Sequence, residues 1–384
     1  MPPRPFTIQV PDAVLADLRE RLARTRWPDE APDAGCQPRE AWKYGSDLAY
    51  VKSLCAYWRE TYDWRVHERA LNAFPQFVAP IAGIDLHFLH VPGVGPKPLP
   101  LLISHGWPGS IVEFHKIIPM LTDPARFGGD PKDAFTVVAP SLPGYGFSFR
   151  PGQKRFGIPM IADAFAELMS ALGYARFGAH GGDWGSFISA RLAATHARRL
   201  TGLHVTLMPV RRDGRPEHAT PEDHEFLARV TQWMTEENGY GAIQGSKPQT
   251  LAYGLTDSPA GLAAWIVEKF RTWSDCGGDV ERRFTKDELL TNITIYWVTG
   301  AIGSSFWPYY ARLHDGWPIP DARIEVPTAW AMFPKEIIIP PRALAERAFN
   351  LTRVTPMNAG GHFASLEEPG ALVADLREFF RPLR

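Results

Sequence analysis

A glycine-rich turn surrounds one aspartate in the sequence Gly181-Gly182-Asp183-Trp184-Gly185. Small residues two positions before and after a central residue are typical of a nucleophile elbow. This tight turn between a strand and a helix lifts the central side chain to the edge of a sheet. The N-terminus of the following helix favours negative charge there. The motif therefore predicts that Asp183 is a carboxylate nucleophile, although an aspartate that only caps the helix would fit it equally well.

A second turn could hold a developing negative charge. It follows the short apolar run 100–104 and reads His105-Gly106-Trp107-Pro108-Gly109-Ser110. Glycine and proline just after a strand can hold a backbone amide so that it points across the strand ends, and here this amide is that of Trp107. Together with the amide of Trp184, it would form an oxyanion hole with two donors. The alternative interpretation is an ordinary loop between a strand and a helix.

Two residues in the C-terminal part of the chain could activate a water molecule. His362 lies in a glycine-rich stretch before a final helix, and Glu336 follows an apolar strand. The chain order Asp183, Glu336, His362 matches the order nucleophile, acid, histidine that accompanies the elbow. Asp213, which also follows a strand, is the alternative acid. The alternative interpretation is that this histidine and this glutamate are only solvated surface residues.

The elements that must position these residues alternate between strands and helices. Strands are predicted at 84–90, 100–104, 135–140, 177–180, 203–207 and 327–332, and helices at 161–172 and 371–380. The chain up to about residue 80 and the aromatic-rich stretch from about 210 to 317 have helical patterns instead. This order predicts an α/β protein with a mostly parallel, doubly wound sheet that carries a helical lid. The predicted parts are an N-terminal helical meander at 1–80, a core at 81–209 and 318–384, and the lid at 210–317.

The composition indicates a globular protein without a charged partner. The 41 basic and 42 acidic residues nearly cancel, which argues against nucleic acid and anionic membranes as partners. The three cysteines lie far apart, so free thiols and no metal site are expected. Neither a signal peptide nor an apolar run of about 18 residues occurs, so we expect a cytoplasmic location without a membrane segment. No nucleotide-binding or zinc motif occurs, so no cofactor is expected, and a homodimer is left open.

Five segments resemble the lid and the N-terminal region of microsomal-type and juvenile-hormone-type epoxide hydrolases. They are GYGAIQGSKP at 239–248, DSPAGLAAWI at 257–266, the stretch 289–310, RWP at 26–28 and YWRETYDWR at 57–65. The resemblance covers nearly the whole chain and implies the α/β-hydrolase fold with a helical lid. It places the family's nucleophile on Asp183, its charge-relay acid on Glu336 and its histidine on His362. The sequence shows no counterpart of the N-terminal membrane anchor of the microsomal members, so we expect a protein without it.

The resemblance also assigns two tyrosines of the lid. They fall on Tyr240 and Tyr309, and the adjacent Tyr310 is the alternative for the second. Together with Trp107 and Trp184, these tyrosines are expected to contact the substrate.

These residue types suit the opening of an epoxide. A carboxylate with an ordinary pKa of about 3.9 is ionised at neutral pH and can attack carbon, whereas phenols with a pKa of about 10 can donate protons to the leaving oxygen. The resulting ester on Asp183 would be hydrolysed by water that His362, oriented by Glu336, deprotonates. The expected partners are water and a small apolar epoxide, either styrene-oxide-like or aliphatic, and detoxification is the expected role.

Two other functions use the same fold. A haloalkane or haloacid dehalogenase shares the aspartate nucleophile, but its halide leaving group needs no proton, so Tyr240 and Tyr309 argue against it. A ligand receptor without catalysis would lack part of the set of nucleophile, acid and histidine. A serine esterase is disfavoured because the elbow holds an aspartate.

Overall fold

The structure of the protein is a computed structural model that describes residues 2–31, 42–211 and 220–384. Its strands in these residues form one nine-stranded sheet. They are β1 (Arg4–Pro5), β2 (Gln76–Ile81), β3 (Ile84–Val91), β4 (Leu99–Ser104), β5 (Phe135–Pro140), β6 (Phe177–Gly181), β7 (Leu200–Val205), β8 (Ile324–Met332) and β9 (Phe349–Pro356). Their order is β1-β2-β3-β5-β4-β6-β7-β8-β9. The pairs β1–β2, β2–β3 and β3–β5 are antiparallel, and all other pairs are parallel. This arrangement confirms the predicted α/β class.

Helices surround this sheet and form the lid. They are α1 (Asp12–Ala23), α2 (Leu48–Glu60), α3 (Trp64–Asn72), α4 (Ile117–Thr122), α5 (Ile158–Ala171), α6 (Asp183–Thr195), α7 (Pro221–Glu236), α8 (Gly239–Ser246), α9 (Pro248–Asp257), α10 (Pro259–Trp273), α11 (Lys286–Thr299), α12 (Ile302–Ser305), α13 (Trp307–His314), α14 (Arg342–Ala348), α15 (Ala364–Glu367) and α16 (Pro369–Phe380). The described part of the predicted lid is therefore helical.

The sheet separates two hydrophobic clusters because successive side chains of a strand point to opposite faces. In β4, Leu101 and Ile103 pack with α4 and α16, whereas Leu102 belongs to the cluster that contains α5 and α6. All three side chains are fully buried. Burial on both faces explains why the central strands are short, continuous apolar runs. This burial also fixes the positions of the loops that follow β4 and β6.

The N-terminal helices pack against the lid. The indole N–H of Trp58 on α2 donates to Oγ1 of Thr294 on α11 at 3.0 Å, and the hydroxyls of Tyr62 and Thr291 lie 3.1 Å apart. Both contacts are buried, so α11 is anchored from outside the sheet. In the three described ranges of the chain, none of the helices has the length and apolar character needed to cross a bilayer.

Three strands differ from the expectation. The helical pattern expected up to about residue 80 is wrong for β1 and also for β2, which pairs with β3 across a two-residue turn. Ala82 and Gly83 in this turn have φ values of 50° and 83°, the left-handed pair that a tight hairpin requires. Strand β9 was not predicted, because as an edge strand it has no continuous apolar run, and the adjacent polar residues Thr352 and Arg353 interrupt its alternation.

Several boundaries also moved. The strand predicted at 203–207 begins at Leu200 and ends at Val205, and the one predicted at 327–332 begins at Ile324. The divisions near residues 80, 209 and 317 stay predictions. The alternative acid Asp213 lies outside the described residues, as does Cys36, while Cys55 and Cys276 are buried free thiols.

Candidate active site

Asp183 lies in the turn between β6 and α6, and its φ of 45° is in the left-handed region. Such a backbone is strained for a residue with a side chain and is typical of functional sites. A Cβ atom on Gly181 would approach the carbonyl oxygen of Gly185 to 2.2 Å, and one on Gly185 would approach that of Ser104 to 1.9 Å. Only glycine fits at both positions. The turn thus has the geometry of the predicted elbow and holds Asp183 against the end of β4.

The loop after β4 supplies a hydrogen bond to this aspartate. The backbone N–H of Trp107 donates to Oδ1 of Asp183 at 2.7 Å. A Cβ atom on Gly106 would lie 2.1 Å from the same oxygen, so glycine is required for this approach. The Nε2 atom of His105 accepts from the N–H of Leu142 at 3.2 Å. Burial lowers the pKa of His105 to about 4, so the ring is neutral at neutral pH and can act as this acceptor.

The amide of Trp184 is the second donor that the sequence predicts. It lies in the first turn of α6, where N–H groups have no acceptor within the helix, and its role stays a prediction. The indole ring of Trp184 packs edge-on against Tyr309, with 4.8 Å between the ring centroids.

His362 lies between two carboxylates. Its Nδ1 atom lies 2.6 Å from Oε1 of Glu336, and its Nε2 atom lies 3.5 Å from Oδ2 of Asp183. The loops after β8 and β9 hold these side chains, and the N–H of Lys335 donates to the carbonyl oxygen of Gly360 at 3.1 Å to join them. The structure therefore brings together the three residues that the sequence proposed as nucleophile, acid and histidine.

The charge of His362 depends on both neighbours. Burial alone would lower the pKa of His362, but the negative charges of Glu336 and Asp183 and their hydrogen bonds outweigh this effect and raise it well above its ordinary value. The imidazole is thus protonated while Asp183 is ionised. Loss of the charge on Asp183 would lower the pKa of His362 and make the ring a better base.

Two tyrosines of the lid contact the ring of Trp107. Tyr240 on α8 is stacked on this indole at a centroid distance of 5.3 Å, and Tyr309 on α13 meets it edge-on at 5.8 Å. The two phenol rings are 5.7 Å apart. Burial, and then the nearby negative charge of Asp183 and the phenol of Tyr240, raise the pKa of Tyr309 well above its ordinary value. Its hydroxyl therefore keeps its proton at neutral pH.

Tyr310 has different surroundings. Its ring stacks on His314 with 3.8 Å between the centroids and on Trp307 with 4.7 Å. These contacts lie along α13 itself, whereas the ring of Tyr309 contacts Trp107 and Trp184. Of the two adjacent candidates, Tyr309 is the one beside the elbow.

Two titratable groups near the site were missed by sequence reasoning. Lys269 on α10 is 6% exposed, and its Nζ atom lies 4.6 Å from the ring centroid of Tyr240. Oε1 of Glu113 lies 1.5 Å from where a Cβ atom on Gly109 would be, so glycine makes room for this carboxyl. Burial raises the pKa of Glu113 to about 8; the charge of His362 opposes this shift, and that of Asp183 adds to it. Gly109 lies in the predicted oxyanion loop and is the one signal that could have indicated Glu113.

Comparison with known proteins gives a consistent family. The family described as epoxide hydrolase N terminus matches residues 3–114, and the α/β hydrolase fold family matches residues 100–252. A putative epoxide hydrolase from Stigmatella aurantiaca is 41% identical over 99% of this chain and 85% of its own length. Epoxide hydrolase 1 from Sus scrofa is 38% identical over 98% of this chain and 88% of its own length.

A solved structure agrees with these sequence matches. The crystal structure of juvenile hormone epoxide hydrolase from the silkworm Bombyx mori has a TM-score of 0.87 and 29% identity, and the match covers 100% of this chain and 95% of that one. The match extends over the sheet, the lid and the N-terminal helices alike. The chain therefore belongs to the epoxide hydrolases of the α/β-hydrolase fold.

Proposed function

We propose that this chain converts an apolar epoxide and water to a vicinal diol through a covalent ester on Asp183. The observation that carries the proposal is the environment of the Asp183 carboxylate. One oxygen accepts the Trp107 amide at 2.7 Å, and the other lies 3.5 Å from His362. The rings of Tyr240 and Tyr309 contact the Trp107 ring, and Tyr309 also contacts Trp184, next to Asp183. A nucleophile, a base and two proton donors thus lie close together.

Ring opening is the first step. Oδ2 of Asp183, the oxygen not bonded to Trp107, attacks an epoxide carbon while the carbon–oxygen bond of the ring breaks. The electron pair stays on the leaving oxygen, which takes a proton from Tyr240 or Tyr309. The buried phenol of Tyr309 keeps its proton until this charge develops, because its pKa is raised. The product of the step is an ester between Asp183 and the substrate.

Ester hydrolysis is the second step, and the first one prepares it. Esterification removes the negative charge of Asp183, so one of the influences that raise the pKa of His362 disappears. The imidazolium of His362 can then release its proton, which replaces the one that the tyrosine lost. His362, still paired with Glu336, next takes a proton from water, which attacks the carboxyl carbon of Asp183. The oxyanion forms beside the amides of Trp107 and Trp184. The diol leaves with the proton that His362 took from water, and the second water proton passes from the Asp183 carboxyl group to His362, which restores the starting state.

The walls of the site indicate the substrate class. The aromatic rings of Trp107, Tyr240, Trp273 and Tyr309 contact one another, so the surroundings of the reacting groups are mainly aromatic. Such a surface favours an apolar epoxide, aryl or alkyl, over a polar one. The free thiols of Cys55 and Cys276 also support a reducing, cytoplasmic location.

Isotope labelling tests the covalent step. In a single turnover in ¹⁸O-water with enzyme in excess, the added oxygen of the diol should come from Asp183, so the diol should be unlabelled. The label should appear in the peptide that contains Asp183. A fully labelled diol with no label in this peptide would make Asp183 a general base and contradict the ester.

One observation favours a second candidate, the dehalogenase. Among the described residues, the indole N–H groups of Trp107 and Trp273 have no hydrogen-bond partner, and such donors could hold a halide. Assays of alkyl halides beside aryl, alkyl and terpene epoxides distinguish the two functions. We expect diols from epoxides and little halide release. Halide release as fast as diol formation would reverse the ranking.

A further inference from the structure

A buried lysine lies directly over the ring of one proposed proton donor. The Nζ atom of Lys269 is 4.6 Å from the ring centroid of Tyr240 and 5.7 Å from that of Trp273. The residue is 6% exposed. Burial of an ammonium group is unfavourable unless neighbouring groups compensate for its lost hydration. Neither step described above uses this charge.

We propose that Lys269 is a positioning residue that strengthens Tyr240 as the acid of ring opening, an inference that rests on the proposed function. When Tyr240 gives its proton to the leaving oxygen, negative charge grows on its hydroxyl and ring. A cation over the ring face stabilises this charge more than it stabilises the neutral phenol. Lys269 itself transfers no proton. It acts only through Tyr240.

The carboxylates around Lys269 limit the size of this effect. Oε2 of Glu268 lies 2.5 Å from Nζ, and this side chain is 20% exposed. Glu237 lies at the end of α7, and burial is the largest influence on its pKa, which it raises. The charge of Lys269 lowers the pKa of Glu237, and the charge of Glu268 raises it. These carboxylates thus partly neutralise the charge of Lys269. The Tyr240 ring is therefore affected by only part of the positive charge of Lys269.

Other groups also face Tyr240 and affect its ionisation. Tyr309 on α13 contacts the Tyr240 ring, and Trp107, whose amide binds Asp183, is stacked on it. Tyr309 and Asp183 would both oppose a second negative charge in the site. Lys269 is a cation in contact with the Tyr240 ring, and it opposes their effect.

The test is the pH dependence of ring opening in charge variants. The rate of ester formation is followed in single turnovers by the fluorescence of the site tryptophans, from about pH 6 to about pH 10, where loss of the phenol proton gives a basic limb. Lys269→Met should slow ester formation about tenfold and move the basic limb to higher pH by up to about one unit. Ester hydrolysis, read from the same traces, should change less than about twofold, because His362 and not Tyr240 activates the water. Lys269→Arg should restore both rate and limb.

A second variant gives the opposite sign. Glu268→Gln removes the carboxylate that partly neutralises Lys269, so the basic limb should move to lower pH. This variant keeps the lysine and tests the inference even if Lys269→Met does not fold. Lys286→Met is the matched control, because Nζ of Lys286 lies 5.6 Å from the ring centroid of Tyr57, outside the site. It should leave both steps unchanged.

Two results would overturn the inference. One is that Lys269→Met slows ester formation and hydrolysis equally without moving the limb. The other is that Glu268→Gln moves the limb upward or leaves it in place. Tyr240→Phe separates this failure from that of the proposed function. If Tyr240→Phe slows ester formation but Lys269→Met does not, only the role of Lys269 is wrong, whereas silent Tyr240→Phe and Tyr309→Phe variants would contradict the proposed function itself.

Discussion

The Nε2 atom of His362 lies 3.5 Å from Oδ2 of Asp183, at the outer limit of hydrogen-bonding distance. On its other side, the same ring makes a short contact of 2.6 Å with Glu336. The imidazole is thus held closely by Glu336 and only loosely by Asp183. Asp183 can therefore attack a substrate without first breaking a strong bond to His362.

The first expectation concerns the pH dependence of ester hydrolysis. Glu336→Gln removes a negative charge that raises the pKa of His362, so the base form of the ring should persist to lower pH. The acidic limb of the hydrolysis rate should move downward. The plateau rate should fall less than in His362→Gln, for which loss of the base slows the step about 100-fold to 10,000-fold. Single-turnover hydrolysis across pH measures both.

His362→Gln serves as the reference for this experiment. It should accumulate the ester, which is visible as a mass increase of one substrate on the chain. An acidic limb that does not move in Glu336→Gln would contradict the charge relay. If Glu336→Gln is harmless while Asp213→Asn is damaging, Asp213 is the acid.

The second expectation concerns the tyrosines. Removal of one donor to a developing oxyanion reduces the rate by about 100-fold to 1,000-fold. Tyr240→Phe and Tyr309→Phe should each slow ester formation to this extent, and the double variant should nearly abolish it. Tyr310→Phe is the control and should change the rate little, because its ring contacts Trp307 and His314. A silent Tyr309→Phe beside a damaging Tyr310→Phe would reverse the assignment.

Some of the site could be predicted because its backbone leaves a mark in the sequence. Asp183 has a positive φ, and only glycine fits at Gly181 and Gly185. Gly106 is required for the approach of the Trp107 amide. Where a function depends on a backbone that excludes side chains, glycine spacing reveals it. The parallel strands could be found for a similar reason, since burial on both faces requires unbroken apolar runs.

The rest depends on tertiary packing that no local pattern encodes. Lys269 reaches Tyr240 only because α10 packs beside α8, and its sequence neighbours read as an ordinary helix. Tyr309 and Tyr310 are equivalent in sequence. Adjacent residues on a helix point about 100° apart, so the orientation of α13 decides between them. Strand β9 was missed because an edge strand needs no continuous apolar run.

The third expectation concerns stability. Burial raises the pKa of Glu113 to about 8, whereas an unfolded glutamate has a pKa of about 4.3. Between these values the native state holds a proton that the unfolded state releases, so this group makes stability fall as pH rises through the window. Glu113→Gln should therefore match the wild type near pH 5. Near pH 8 it should be more stable by about 1–2 kcal/mol, less than the full shift implies because the residue is partly exposed.

Denaturant unfolding at several pH values measures this difference. Glu237→Gln is a useful comparison, because burial also raises the pKa of Glu237, but the charge of Lys269 opposes the shift. Its stability gain should be smaller than that of Glu113→Gln. A Glu113→Gln variant whose stability relative to the wild type is the same at all pH values would show that Glu113 is ionised in the folded protein.

The last expectation separates the elbow from glycines that only lie in helices. A Cβ atom on Gly185 would lie 1.9 Å from the carbonyl oxygen of Ser104. The Cβ atom is fixed to the backbone of α6 and the oxygen to that of β4, so neither can move without its backbone. Gly185→Ala should therefore push the end of β4 away from α6 and displace the Trp107 amide from Asp183. Because this amide bonds to the reacting carboxyl group, the rate should fall about 100-fold or more, together with stability. Gly254→Ala is the matched control, since Gly254 lies within α9 with no atom within 4 Å of the added Cβ, and alanine there should stabilise the helix by about 0.5–1 kcal/mol. Activity measured at equal folded fraction separates the loss of rate in Gly185→Ala from its loss of stability. An unchanged rate would show that the contact between the elbow and β4 does not position the Trp107 amide.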